Sequence, residues 1–213
     1  MSWSATAAEK ARRYEEGAAR VDDERSVVRQ GNVAYAAGLA LLMDGDPAAG
    51  EWLRRAASDW RTSWDVGGAT DAWGRPIGAL KASLLAGDEP AVEELARWTL
   101  ELGTATAASP IGRYAACLAL LALGRWAEAR HAAVSLLERE DFPHDVADAL
   151  AAIAAHDVIA AIEAIESVVA SFERRDAYLE DMAVADTALV LRLLAARRGI
   201  EVELPASPVL PPA

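Results

Sequence analysis

One stretch, written twice, limits what this chain can fold into. Tyr35-Ala36-Ala37-Gly38-Leu39-Ala40-Leu41-Leu42, closed by Gly45, returns as Tyr114-Ala115-Ala116-Cys117-Leu118-Ala119-Leu120-Leu121, closed by Gly124. Matched positions lie 79 residues apart, and a weaker third copy ends at Gly87 between them. Each copy is too apolar to stand alone in water and is punctuated by a glycine that ends a helix. Neighbouring copies must therefore bury one another, which is the logic of a stacked helical repeat and, by analogy, of a binding scaffold.

Composition points the same way. Ala, Leu, Val and Ile dominate and Phe occurs only twice, which favours helices over strands. The 213 residues suffice for one core and demand no second domain. The expectation is an all-α chain of about ten helices. Residues 1–204 form a single repeat domain, and 205–213 form an extended, proline-rich tail. The seven tryptophans read as gap-fillers between alanine-rich helices, with a stacking or ligand-cage role as the alternative.

A net charge of -12 argues against nucleic acid and against an anionic membrane surface. Lysine occurs only at positions 10 and 81. Acidic, lysine-poor composition fits a high-salt cytoplasm, and it fits a bias towards arginine equally well. Cys117 is the only cysteine, so no internal disulfide or multi-cysteine metal site is expected, and a reducing cytoplasm is the natural compartment. Met1 to Arg13 lack the apolar core of a signal peptide. The longest apolar run, Ala115 to Leu123, is about half of what spans a bilayer.

In order along the chain, residues 3–19 read as an amphipathic helix capped by Ser2 or Ser4. Asp22-Asp23-Glu24 opens the next helix, which runs to about Met43. Asp46 and Pro47 read as cap and first residue of a third helix, whose apolar face is Trp52, Leu53, Ala56, Ala57 and Trp60. Trp64 to Gly74, including Gly67-Gly68, reads as a loop. Helices are expected from Pro76 to about Ala86 and from Asp88 to Leu102, and Gly103 to Ser109 reads as a small-residue linker. Pro110-Ile111-Gly112 repeats Pro76-Ile77-Gly78 at an offset of 34 and opens the next helix. Arg125 to Arg139, Asp145 to Ala155 and Val158 to Phe172 come next. One last buried helix is expected over Leu179 to Arg198, and the tail from Glu201 is expected to lie extended on the surface.

Leu123-Gly124-Arg125-Trp126-Ala127-Glu128-Ala129 resembles the inter-helix turn of a tetratricopeptide repeat. On that register equivalent turns fall at Gly45, Gly87, Gly124 and His156, with gaps of 42, 37 and 32 residues against a family period of about 34. The resemblance covers residues 31–172. It implies a right-handed stack of antiparallel helix pairs whose first helices line a groove. The chain as a whole resembles uncharacterised prokaryotic helical-repeat proteins, which implies no activity.

That register makes Asn32, Tyr35, Trp73, Arg75, Lys81, Arg113 and Tyr114 the candidate partner-binding residues. Arg75, Lys81 and Arg113 would form a basic patch suited to a carboxylate-rich protein segment or an anionic ligand. The competing reading pairs each cation with a nearby acid or sends it to water. Leu39, Gly78 and Ala115 stand where the family's carboxylate-clamp residues would, so clamp-type recognition is not expected. Asp186 shares a face with Leu189, Val190 and Leu193 and should be buried with a partner, Arg75 or Arg113. Tyr178, Glu180, Asp181 and Thr187 lie close by in sequence.

His144 and Asp148 supply too few ligands for a metal. Cys117, in the packing position of Gly38, reads as an inert buried thiol. No phosphate loop, nucleophile elbow or zinc-protease motif is present. No catalytic residue, cofactor or metal is expected. The leading expectation is a non-enzymatic scaffold that docks a protein or peptide segment. The alternatives are a helical immunity protein that neutralises a toxin, and a small-ligand-binding or enzymatic helical protein using the Trp73 to Arg113 region.

Overall fold

The computed structural model describes residues 2–19, 21, 23–67 and 70–212. Among them are ten α-helices and no strand. The first five are α1 (Trp3–Ala18), α2 (Glu24–Asp44), α3 (Ala49–Asp65), α4 (Gly74–Leu85) and α5 (Glu89–Glu101). The others are α6 (Pro110–Ala122), α7 (Trp126–Leu137), α8 (His144–Ala155), α9 (Val158–Glu173) and α10 (Asp186–Arg197). Short 3-10 turns lie at Thr104–Thr106 and Leu179–Asp181. Asp22 and Gly68 lie outside the described residues.

Local chemistry accounts for most of these boundaries. Ser2 Oγ accepts from Ala5 N at 3.3 Å at the start of α1. Asp23 and Ser26 cap α2 reciprocally, at 2.7 Å and 3.0 Å, which satisfies donors the helix cannot. Asp88, Ser109 and Asp157 cap α5, α6 and α9 in the same sense. The α2, α4, α6 and α8 turns each pass through one left-handed residue: Gly45, Gly87, Gly124 and His156, with φ between 60° and 71°. His156 takes this conformation without being glycine. Its amide donates to the α8 carbonyl of Ile153, and that of Asp157 to Ala152, so turn hydrogen bonds offset the steric cost.

The start of α3 differs from expectation. Asp46 Oδ1 accepts from Ala48 N at 2.8 Å, so Asp46 and Pro47 form a turn and α3 begins at Ala49.

The duplicated stretch serves close packing. A Cβ on Gly38 would sit 2.8 Å from Leu53 Cγ, so α2 and α3 touch there. Cys117 holds the matching place in α6, fully buried, with Sγ 3.6 Å from the Ala129 carbonyl of α7. Burial pushes its thiol up to about 12, which disfavours the thiolate. The repeated Pro-Ile-Gly also has a packing meaning. A Cβ on Gly78 would meet Trp60 at 2.8 Å, and one on Gly112 would meet Trp73 at 3.0 Å. Each copy leaves room for a tryptophan from an earlier segment.

Consecutive helices pack on one another throughout, and then the chain turns back. Helix α10 lies against α4, α6, α8 and α9, while the turn Leu179–Asp181 lies against α2. Leu191, Leu194, Val190 and Ala195 of α10 are fully buried. The last helix is therefore shorter than expected, because Met182 to Ala185 are not helical: Met182 is extended and Val184 N donates to the Met182 carbonyl at 2.8 Å. Ala185 N donates to Val209 O at 2.8 Å, a bond a continuous helix would forbid. This also corrects the extended surface placement of the tail: a turn closes at Ser207–Leu210, and Val202, Val209 and Leu210 are buried.

Asp59 of α3 lies beside Tyr14 of α1, and burial pushes its carboxyl up from 3.8 to about 6. The folded state then holds a proton between those values that the unfolded state has lost. Stability from this group is present below pH 3.8 and lost as pH rises through about 6. Asp59→Asn is expected to be neutral at pH 4 and stabilising at pH 7, by about 1 kcal/mol after allowance for partial exposure. Urea unfolding of both proteins at the two pH values reads this directly; an equal difference at both would refute it.

Candidate functional site

Val28, Asn32 and Tyr35 stand four and three residues apart on one face of α2, and Gly74, Gly78 and Lys81 do the same on α4. Together with Trp60 of α3 they wall a pocket of about 440 Å³, which Leu179 and Asp186 complete from the C-terminal segment. A second pocket of about 260 Å³ adjoins it and shares Tyr35, Leu179 and Asp186. Leu179, half exposed, lines both.

Trp60 forms the floor. Its Nε1 donates to Asn32 Oδ1 at 3.1 Å, and its ring centroid lies 5.1 Å from that of Tyr35. A Cβ on Gly31 would come within 2.9 Å of the indole, as one on Gly78 would from the opposite helix. The tryptophan is thus seated between two glycines, one on α2 and one on α4.

Asp186 is the polar centre. Its Oδ2 accepts from Lys81 Nζ at 2.6 Å and from Tyr35 Oη at 2.7 Å. Lys81 Nζ also donates to Thr187 Oγ1 at 3.0 Å. Burial would raise the Asp186 carboxyl, but the ammonium of Lys81 and the hydrogen bonds from Lys81 and Tyr35 outweigh it and hold the group below 3.8. Tyr35 is pushed well up by burial and by Asp186. Tyr114, the repeat equivalent of Tyr35, is also buried and faces Asp186 and Thr187. Both copies of the repeated tyrosine converge on the first turn of α10.

The expected partner for Asp186 was an arginine, and the structure corrects this to Lys81. Arg75 instead pairs with Glu24 and donates to the Ser63 carbonyl at 2.9 Å. Arg113 Nε donates to the Ala107 carbonyl at 3.0 Å. The three cations form no common patch, because each is held by a different segment. Asn32, Tyr35, Arg75 and Lys81 do share one pocket. Trp73 stacks on Trp64 with centroids 5.8 Å apart, and Arg113 faces a different cavity.

The other lysine completes the pattern. Lys10 of α1, itself buried, donates to the Glu180 carbonyl at 2.9 Å and to its carboxylate at 3.3 Å. Arg13 reaches the same carboxylate at 3.1 Å. The only two lysines of the chain therefore both anchor the segment 180–186. Glu180 and Asp181 are held at φ 54° and 60°, a left-handed pair that costs about 1–3 kcal/mol per residue and persists only when surroundings impose it. Sequence reasoning missed Lys10, Leu179 and Trp60 as site residues. The scarcity of lysine was the one signal that could have singled out Lys10.

Among the described residues no three His, Cys, Asp or Glu side chains group as metal ligands would, and no helix is long and apolar enough to cross a membrane. Compared with protein-family models, curated proteins and solved structures, the chain finds no match.

Proposed function

We propose that the chain is a non-enzymatic protein-binding module, built as a divergent tetratricopeptide-like stack, that docks a partner segment beside Leu179. One observation carries this reading. The face shared by α4, α6 and α8, which would line the groove of such a stack, already holds a segment of the chain itself. That segment is gripped as a ligand would be, by side chains: Lys10 on Glu180, and Lys81 with Tyr35 on Asp186. Helix α10 is too deeply buried to leave, so a partner takes the open remainder, the pocket between α2, α4 and Leu179. Its walls, Val28, Trp60, Ile77 and Leu179, suit an apolar anchor. A carboxylate next to that anchor would share Arg75 or Lys81 with the internal acids. The partner segment thus resembles the chain's own Leu179-Glu180-Asp181.

Selection of peptides from a random display library against the purified protein tests this. Selected sequences are expected to place a leucine or aromatic residue beside Asp or Glu. Val28→Glu, in the pocket wall, is expected to weaken them by about tenfold or more, equivalent to about 1.4 kcal/mol. A folded protein that selects nothing, or peptides indifferent to Val28→Glu, would overturn the reading.

A further inference from the structure

The largest of the described cavities, about 750 Å³, lies elsewhere, over α6 between α5 and α7. Its size falls within the range of small-molecule sites. Its body is apolar and made roomy by short side chains: Leu100 of α5, Ala116 and Leu120 of α6, and Ala127 and Ala132 of α7. Arg113 lines it from the first turn of α6, and Arg125, Glu128 and His131 line it from the first half of α7 and the turn before it, at the other end of α6.

The charges there do not cancel. Arg125 and Glu128 form a two-pronged pair, with Arg125 Nε at 2.7 Å from the carboxylate, and neutralise each other. Arg113 is partly buried and has no carboxylate partner among the described residues, in a chain with 33 acids. Its Nε is tied to the Ala107 carbonyl, which holds the guanidinium in place, and among the described residues no acceptor takes its terminal N–H groups. A fixed guanidinium with spare parallel donors matches a carboxylate in two-point geometry, and a half-buried one gains most from such a partner. An apolar body with one such cation selects a molecule with an apolar body and one anionic end.

We infer that the cleft over α6 binds a small amphipathic organic carboxylate, its acid on Arg113 and its apolar part against Leu100, Ala116 and Leu120. This site is separate from the pocket beside Leu179 and stands or falls independently of it.

Isothermal titration with 4-phenylbutyrate, with 4-phenylbutan-1-ol as the uncharged match, tests the inference. The acid is expected to bind one-to-one and about tenfold or more tighter than the alcohol. Arg113→Met should bring the acid to the level of the alcohol. Because that change also frees the Ala107 carbonyl, Ala132→Trp is the second variant: it fills the cleft without touching Arg113 and should abolish binding of both compounds. No binding of the acid to the folded native protein would overturn the inference. So would equal affinity for acid and alcohol, or binding that survives Ala132→Trp.

Discussion

Asp186→Ala is expected to lower the unfolding free energy by about 3–5 kcal/mol, a large share of what holds a domain of this size together. The reason is what remains rather than what is removed. Lys81 and Asp186 side chains are only 11% and 15% exposed, and Tyr35 is 3% exposed. Without the carboxylate, an ammonium and a phenol are left facing each other with Thr187 as the only remaining acceptor shown for Lys81. Removing both charges is a different matter. Lys81→Met with Asp186→Leu is expected to recover most of the loss, because apolar side chains of similar size leave no buried charge uncompensated.

The acid limb of the stability curve gives an independent reading. The Asp186 carboxyl is held below 3.8 in the folded state. Its contribution is therefore present above the unfolded value and lost as pH falls through the folded one. Native protein should lose stability below pH 3.8 by an increment that Asp186→Asn does not show. Denaturant unfolding across that range measures both effects. A loss under about 1 kcal/mol in Asp186→Ala would mean that water replaces the carboxylate and that the network is a surface feature.

Trp60→Ala carries the second large effect, about 3–5 kcal/mol. The ring is almost wholly buried and is seated between Gly31 of α2 and Gly78 of α4. Its removal empties the space around which three helices are spaced, and it frees Asn32 of its indole donor. Trp60→Phe keeps most of the packing and should cost about 1–2 kcal/mol, much of it from the lost hydrogen bond. The glycines provide a sharper check. Gly78→Ala alone should destabilise, because its Cβ would meet the ring at 2.8 Å, outweighing the gain in helix propensity. In the background of Trp60→Leu the same change should become neutral or favourable, a coupling readable in a double-mutant cycle. Additive effects would show that α4 shifts freely against α3.

Much of the candidate site was legible in sequence, for reasons visible in particular residues. The matched Tyr35 and Tyr114 marked one face of the repeat, and both reach the first turn of α10. The tetratricopeptide-like register grouped Asn32, Tyr35, Trp73, Arg75, Lys81, Arg113 and Tyr114, of which Asn32, Tyr35, Arg75 and Lys81 share one pocket. What the register could not supply was the choice of partners. Lys81 had 33 carboxylates to pair with, and the pair it forms spans α4 to α10. Arg75 pairs with Glu24 across α2 and α4. No local pattern encodes either, because the energy that selects an ion pair depends on which groups are desolvated together.

Several of the helix ends were determined by the sequence itself. Asp23, Asp88 and Asp157 cap the starts of α2, α5 and α9, and Gly45, Gly87 and Gly124 close α2, α4 and α6, because capping acts over three or four residues. Only the tertiary structure decided the path of the chain after α9. Met182 to Ala185 favour a helix by composition, yet they are not helical, since Lys10 and Arg13 hold Glu180 and the Val209 carbonyl takes the amide of Ala185. Those contacts join residues more than 20 positions apart, so their free energy exists only once the helices have already packed, and it then overrides local preference.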